Sequence, residues 1–198
     1  MHSPDHTADA RGSVAEYVAA LKGSSRFGPQ VVAHRVFPAA APEPAAVDLL
    51  APELQQLLEN LGIRHLHRHQ PAAIEAILAG RNTVVATPTA SGKSFIYTLP
   101  ILQTYLCDPE SRALCLFPLK ALAQDQLKTM EQLWRLLPER ARRHPAAAAI
   151  YDGDTTDYRR RKIRELPPPV LITNPDMLHL GLLPHHAKWG HFFAGLRH

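Results

Sequence analysis

Gly92, Lys93 and Ser94 close the octapeptide Thr87-Pro88-Thr89-Ala90-Ser91-Gly92-Lys93-Ser94, and their types and order suit a phosphate site. In a small-residue loop that runs into a helix, successive backbone N–H groups converge on an anion, and the helix adds its positive end. Gly92 lets the backbone approach a phosphate that a side chain would hold away. Lys93 would reach the β- and γ-phosphates, and the Ser94 hydroxyl would ligate Mg²⁺ brought with ATP. The general pattern G-x-x-x-x-G-K-[ST] places glycine where this chain has Thr87, and Ala90 supplies no second one. An accidental strand–turn–helix around a lone Gly-Lys is the competing reading, so the flanking elements have to decide.

Those elements have the required order. Asn82 to Ala86 is a β-branched apolar run that reads as a buried strand, and Phe95 to Leu102 can open as a helix. Upstream, Pro52 opens a helix with Leu54, Leu57, Leu58 and Leu61 at helical spacing, ended by Gly62. Pro71 to Leu78 forms another helix, stopped by Gly80. Gln70 stands just before it. A glutamine amide donates and accepts together, which suits the adenine edge, whereas a capping or solvent-facing glutamine is the plainer alternative. His65, His67 and His69 alternate, but no carboxylate or cysteine completes a zinc set nearby.

Downstream, Arg112 to Phe117 reads as a second strand, and Pro118 to Gln126 enters a long helix carrying Leu119, Leu122, Leu127, Met130, Leu133, Trp134 and Leu137. A helix start with Lys120 suits a nucleic-acid phosphate. Ala146 to Tyr151 is a third strand. Asp152 to Asp157 forms a turn and cap before the basic helix Tyr158 to Glu165, which either touches a phosphate backbone or is a solvated face. Val170 to Thr173 is a fourth strand, and Asn174 caps another helix. Four strand–loop–helix units predict a parallel α/β sheet with flanking helices.

Composition bounds the rest. The 198 residues are 45% hydrophobic and 20% charged, as in a globular protein. A net charge of +4 fits an anionic partner without demanding one. Cys107 and Cys115 lie in apolar runs without zinc-like spacing, which predicts buried free thiols in a reducing cytoplasm. No apolar run approaches the ~20 residues of a membrane span. Met1 to about Ser13 is small and polar, Val14 to Leu21 predicts a short helix, and Gln30 to Phe37 a strand or extended arm. Pro38 to Ala46 reads as a stiff linker, which divides the chain into an extension (1–47) and an α/β domain (48–198).

Together, His69-Gln70, TPTASGKS, PLKALAQDQ, YDGDT and TNPDMLH resemble, in order and spacing, the Q motif and motifs I, Ia and Ib of DEAD/DEAH-box superfamily 2 helicases. That superfamily relaxes the first glycine of the phosphate loop. The nearest resemblance is to RecQ-related bacterial DNA-repair helicases of the mitomycin-repair-factor (MrfA/YprA) type, with fungal relatives. It implies a RecA-like fold and ATP- and Mg²⁺-driven 3′→5′ movement on single-stranded DNA. Carried onto these residues, it implies nucleotide contacts from Thr87 to Ser94 and Gln70, with His67 or Arg68 stacking on the base. It also implies DNA contacts at Pro118, Leu119, Lys120 and Gln124, and at Thr173, Asn174, Pro175 and Asp176.

The chain departs from that family in lacking the Asp-Glu-x-His segment expected after Leu196-Arg197-His198, together with motif III and the second RecA-like domain. It reads as the front part of a helicase, from a truncated gene or a split reading frame, whose remainder is separately encoded, or else as a non-catalytic nucleotide- or DNA-binding fragment. Thr83 to Ala86 would then lack a neighbour and Val170 to Thr173 the strand expected to follow, leaving a loosely packed, aggregation-prone chain.

Overall fold

The computed structural model describes residues 13–36, 44–45, 49–87 and 92–198. It divides into two compact units, Met1–Ala41 and Pro42–His198. In the first, α1 (Val14–Gly23) starts with a capping box: the Ser13 hydroxyl accepts from the Glu16 amide while the Glu16 carboxylate accepts from that of Ser13. Residues 31–36 form no strand, so the alternation read there as a strand or arm is an unpaired segment. The end of that reading and most of the Pro/Ala linker lie outside the described residues.

The second unit begins with a pairing that a linker composition does not announce. β1 (Pro44–Ala45) runs antiparallel to β2 (Leu66–His67). Between them α2 (Pro52–Asn60) buries Leu54, Leu57 and Leu58. After β2 come α3 (His69–Leu78) and α4 (Lys93–Cys107). The central sheet has three parallel strands in the order β3 (Ala113–Leu116), β5 (Val170–Thr173), β4 (Ala148–Ile150). The crossovers are α5 (Lys120–Leu136) and α6 (Asp157–Glu165). A one-turn α7 (Pro175–Met177) continues through a π turn and a 3₁₀ stretch to α8 (Gly190–Ala194).

Two cores flank this sheet. One joins α2, α3, α4 and α5 through Leu54, Leu57, Ile74, Leu99, Leu102, Tyr105 and Trp134, with the Tyr105 and Trp134 rings 4.9 Å apart. The other gathers Tyr151, Leu171, Leu182, Trp189 and Phe192. Strand alternation distributes β5 between them, with Val170 and Ile172 in the first core and Leu171 in the second. Among the described residues no helix is long and apolar enough to cross a membrane.

The structure corrects four expectations. The run Asn82 to Ala86 is not a strand; Val84 is 96% exposed. A β-branched run becomes a strand only where another strand accepts its backbone bonds, and none lies beside it among the described residues. Three strands, not four, therefore make the parallel sheet. Val170–Thr173, expected to lack a flanking strand, is instead the central one, paired on both sides. The outer edge belongs to β3, where the Leu114 N–H donates to the His198 carbonyl at 2.9 Å and Arg112 bridges Leu196 in parallel. Finally, Cys107 is exposed at the end of α4, although burial of the Cys115 thiol pushes its pKa up to about 12.

These placements predict opposite costs for two apolar residues. Leu171→Ala, in the middle of β5, should destabilise the protein by about 2–5 kcal/mol in urea unfolding. Val84→Lys should stay within about 0.5 kcal/mol of wild type, whereas a buried strand at Asn82 to Ala86 would make it severe.

Candidate nucleotide and nucleic-acid site

Of the octapeptide, Thr87, Gly92, Lys93 and Ser94 are described, and the last three stand at the start of α4. Gly92 caps the helix in the left-handed region, at φ 70° and ψ 27°, where a side chain would be strained. The Lys93 ammonium turns back to donate to the Thr87 carbonyl at 2.9 Å, so the lysine spans the loop from its end to its beginning. Ser94 stands in the first turn, and its carbonyl accepts from the Thr98 hydroxyl at 2.8 Å. Pro88, Thr89, Ala90 and Ser91 lie outside the described residues.

Gln70 is brought to this loop from α3. It is 1% exposed, and both ends of its amide are engaged. Its Oε1 accepts from the His67 N–H at 2.8 Å, a local capping bond, and its Nε2 donates to the Gly92 carbonyl at 2.8 Å. A Cβ added at Gly92 would collide with that carboxamide, so the glycine is required both by its backbone angle and by its neighbour. The amide is therefore not solvent-facing, and it joins the β2 backbone to the Gly92 peptide. One further N–H and one further lone pair remain to it. His67 and Arg68 are both exposed beside β2, and the His67 ring stacks on His69 with centroids 5.9 Å apart.

The residues read as nucleic-acid contacts sit where the parallel strands end. Because β3, β4 and β5 run the same way, the loops after them emerge at one edge of the sheet. After β3, Pro118, Leu119 and Lys120 are exposed at the start of α5, with Gln124 exposed one turn on. After β5, the Asn174 carboxamide accepts from the Met177 N–H at 2.8 Å and caps α7, leaving Pro175 and Asp176 exposed in its first turn. Thr173 differs from the rest of this group: it is buried, and its hydroxyl donates to the Tyr151 carbonyl at 2.6 Å, a bond within the sheet.

Two side-chain connections, from Tyr97 and from Arg160, were not read from the sequence, although the turn that Arg160 clamps was. The Tyr97 hydroxyl donates to Gln126 Oε1, tying α4 to α5. The turn after β4 is built on Asp152, whose Oδ1 accepts from the Asp154 N–H at 3.0 Å and the Thr155 hydroxyl at 3.1 Å. Arg160 locks it from α6 by donating to the Asp152 and Thr155 carbonyls at 2.9 and 2.8 Å. The Asp-x-Asp-Thr spacing carries the signal for such a turn; the reach of Arg160 depends on the position of α6 alone.

Known proteins share much of this sequence and fold. The DEAD/DEAH box helicase family matches residues 67–196. The ATP-dependent helicase YprA of Bacillus subtilis is 38% identical over 189 residues, 94% of this chain and 24% of that protein. The ATP-dependent helicase HRQ1 of Saccharomyces cerevisiae is 41% identical over 148 residues, 75% of this chain and 13% of that one. A crystal structure of the DUF1998 helicase MrfA bound to DNA and AMPPNP superposes with a TM-score of 0.76 at 37% identity, over 93% of this chain and 25% of that one. The chain thus spans about a quarter or less of these relatives. With its phosphate loop at the head of α4 and its strand-end loops on one edge, the chain belongs to the DEAD/DEAH box helicase family.

Proposed function

We propose that these residues form the ATP-binding part of an ATP-dependent DNA helicase, which holds ATP at Thr87 to Ser94 and touches single-stranded DNA at the strand-end loops. The observation that carries this is the Lys93 ammonium folded across the loop onto the Thr87 carbonyl, with Gln70 fixing Gly92 beside it. A bound phosphate would replace that carbonyl as the partner of the lysine, a stronger, charge-assisted contact. Ser94 offers one oxygen to Mg²⁺. Among the described residues no group of three His, Cys, Asp or Glu side chains could hold a metal, so the ion would arrive with the nucleotide's phosphates and waters. When bound, it would neutralise charge on the phosphates. The resemblance further assigns the activity to DNA repair in the cytoplasm.

Gln70 can read adenine with its remaining N–H and lone pair, provided that the groups now covering it move aside. His67 and Arg68 remain the two candidates for stacking on the base. The DNA contacts lie on exposed Pro118, Leu119, Lys120 and Gln124 and around Asn174, Pro175 and Asp176, while Thr173, buried and bonded to the Tyr151 carbonyl, supports that loop from within the sheet.

Lys93→Ala should weaken ATP binding roughly tenfold or more in calorimetry, because a charge-assisted contact is worth about 1.5–3 kcal/mol. Unchanged affinity would remove the phosphate-loop assignment. ATP should also bind at least about tenfold tighter than GTP; equal affinities would remove the adenine role of Gln70 and leave the phosphate loop standing.

The 198 residues contain no adjacent Asp-Glu pair, and with it no carboxylates of the Asp-Glu-x-His kind to hold the metal and activate water. A polypeptide of these residues alone should bind ATP yet hydrolyse it no faster than background in a phosphate-release assay. Turnover at helicase rates that Lys93→Ala abolishes would contradict this.

A further inference from the structure

An acid stands inside the surface assigned to DNA. Lys120, the first residue of α5, is ion-paired with Asp154, from the turn after β4, and the two side chains are 62% and 72% exposed. Asp154 is no loose surface carboxylate. Its backbone N–H is held by Asp152, which is 9% exposed, and the turn is clamped by Arg160, whose guanidinium lies 5.4 Å from the Tyr151 ring centroid. A partly buried hydrogen-bonded turn thus presents one carboxylate to the cation that opens α5. The hydrogen bond that Lys120 donates to Asp154, with the charge of that carboxylate, raises the Lys120 pKa.

A carboxylate on an ammonium at a helix start makes the same kind of contact as a backbone phosphate, with two acceptor oxygens and a negative charge. A bare acid at this place would repel DNA, and an acid paired with the lysine neutralises it. We infer that Asp154 is the resident competitor for Lys120, a carboxylate that the DNA phosphate displaces when α5 engages the backbone. This rests on the reading of Lys120 as a phosphate contact. Exposed pairs of this kind are weak, so the exchange is easy and its effect on affinity is about twofold to fivefold.

The test is fluorescence anisotropy with a labelled single-stranded oligodeoxynucleotide at one low ionic strength, on wild type, Asp154→Asn, Lys120→Ala and the double variant. Asp154→Asn should fold normally, because the turn uses the backbone N–H of residue 154 and not its side chain. It should tighten binding ~twofold to fivefold, Lys120→Ala should weaken it, and the double variant should bind like Lys120→Ala. Unchanged or weaker binding by Asp154→Asn overturns the inference. So does a gain that survives in the Lys120→Ala background, since that would be a general effect of net charge. If Lys120→Ala binds as wild type does, the phosphate-contact reading itself falls, and the inference with it.

Discussion

Every amide and carbonyl of Val170–Thr173 is shut away from water, and a buried backbone tolerates few unpaired polar groups. β5 meets that demand by taking β3 on one side and β4 on the other, in parallel. Much else depends on this one constraint. Parallel strands need helical crossovers, so α5 and α6 must return over the faces of the sheet. Their starts then fall at one edge, next to the start of α7. The edge on which these loops gather is therefore a by-product of satisfying the backbone of a single strand.

The nucleotide side of the molecule is organised by a second, smaller economy. Gln70 reaches out of α3 to a peptide of the phosphate loop, and Tyr97 reaches out of α4 to α5. The Tyr97 ring also lies 6.3 Å from that of Phe117, at the end of β3. A displacement of Gly92 would thus be felt at α3 through one amide, and along α4 at α5 and the end of β3. Coupling between the two surfaces has a contiguous set of contacts to travel through.

The sequence announced most of this where the pattern was local. Proline at the start of α2, Asn174 as a cap and the uninterrupted apolar run of β5 each carry their own physical cause and were found in place, whereas the apolar face read for α5 buries Met130, Leu133 and Trp134 but leaves Leu119 and Leu122 exposed. Gly92 and Lys93 were expected at the mouth of a helix, and they stand at the start of α4. The features that were not legible depend on neighbours. Thr83-Val84-Val85 has strand composition and no strand to pair with. Pro44–Ala45 has linker composition and finds Leu66–His67. Thr173 looks like a surface hydroxyl in its motif and is committed to the Tyr151 carbonyl. Cys107, in an apolar run, falls at a helix end and is exposed. The acid facing Lys120 comes from 34 residues away, beyond any spacing rule.

The basic run of α6 has a consequence for how strongly salt should act on DNA binding. Arg160 is engaged with two carbonyls, Arg161 and Lys162 share the Glu165 carboxylate, and Arg164 donates to the Tyr151 hydroxyl at 3.3 Å. Only Arg159 of this run has no side-chain hydrogen bond or ion pair among the described residues. Each phosphate that a protein neutralises releases a little under one condensed counterion. In α6 only Arg160 is committed to the turn before it, while Arg161 and Lys162 sit in weak, exposed pairs with Glu165, so a phosphate backbone laid on this helix would still release counterions.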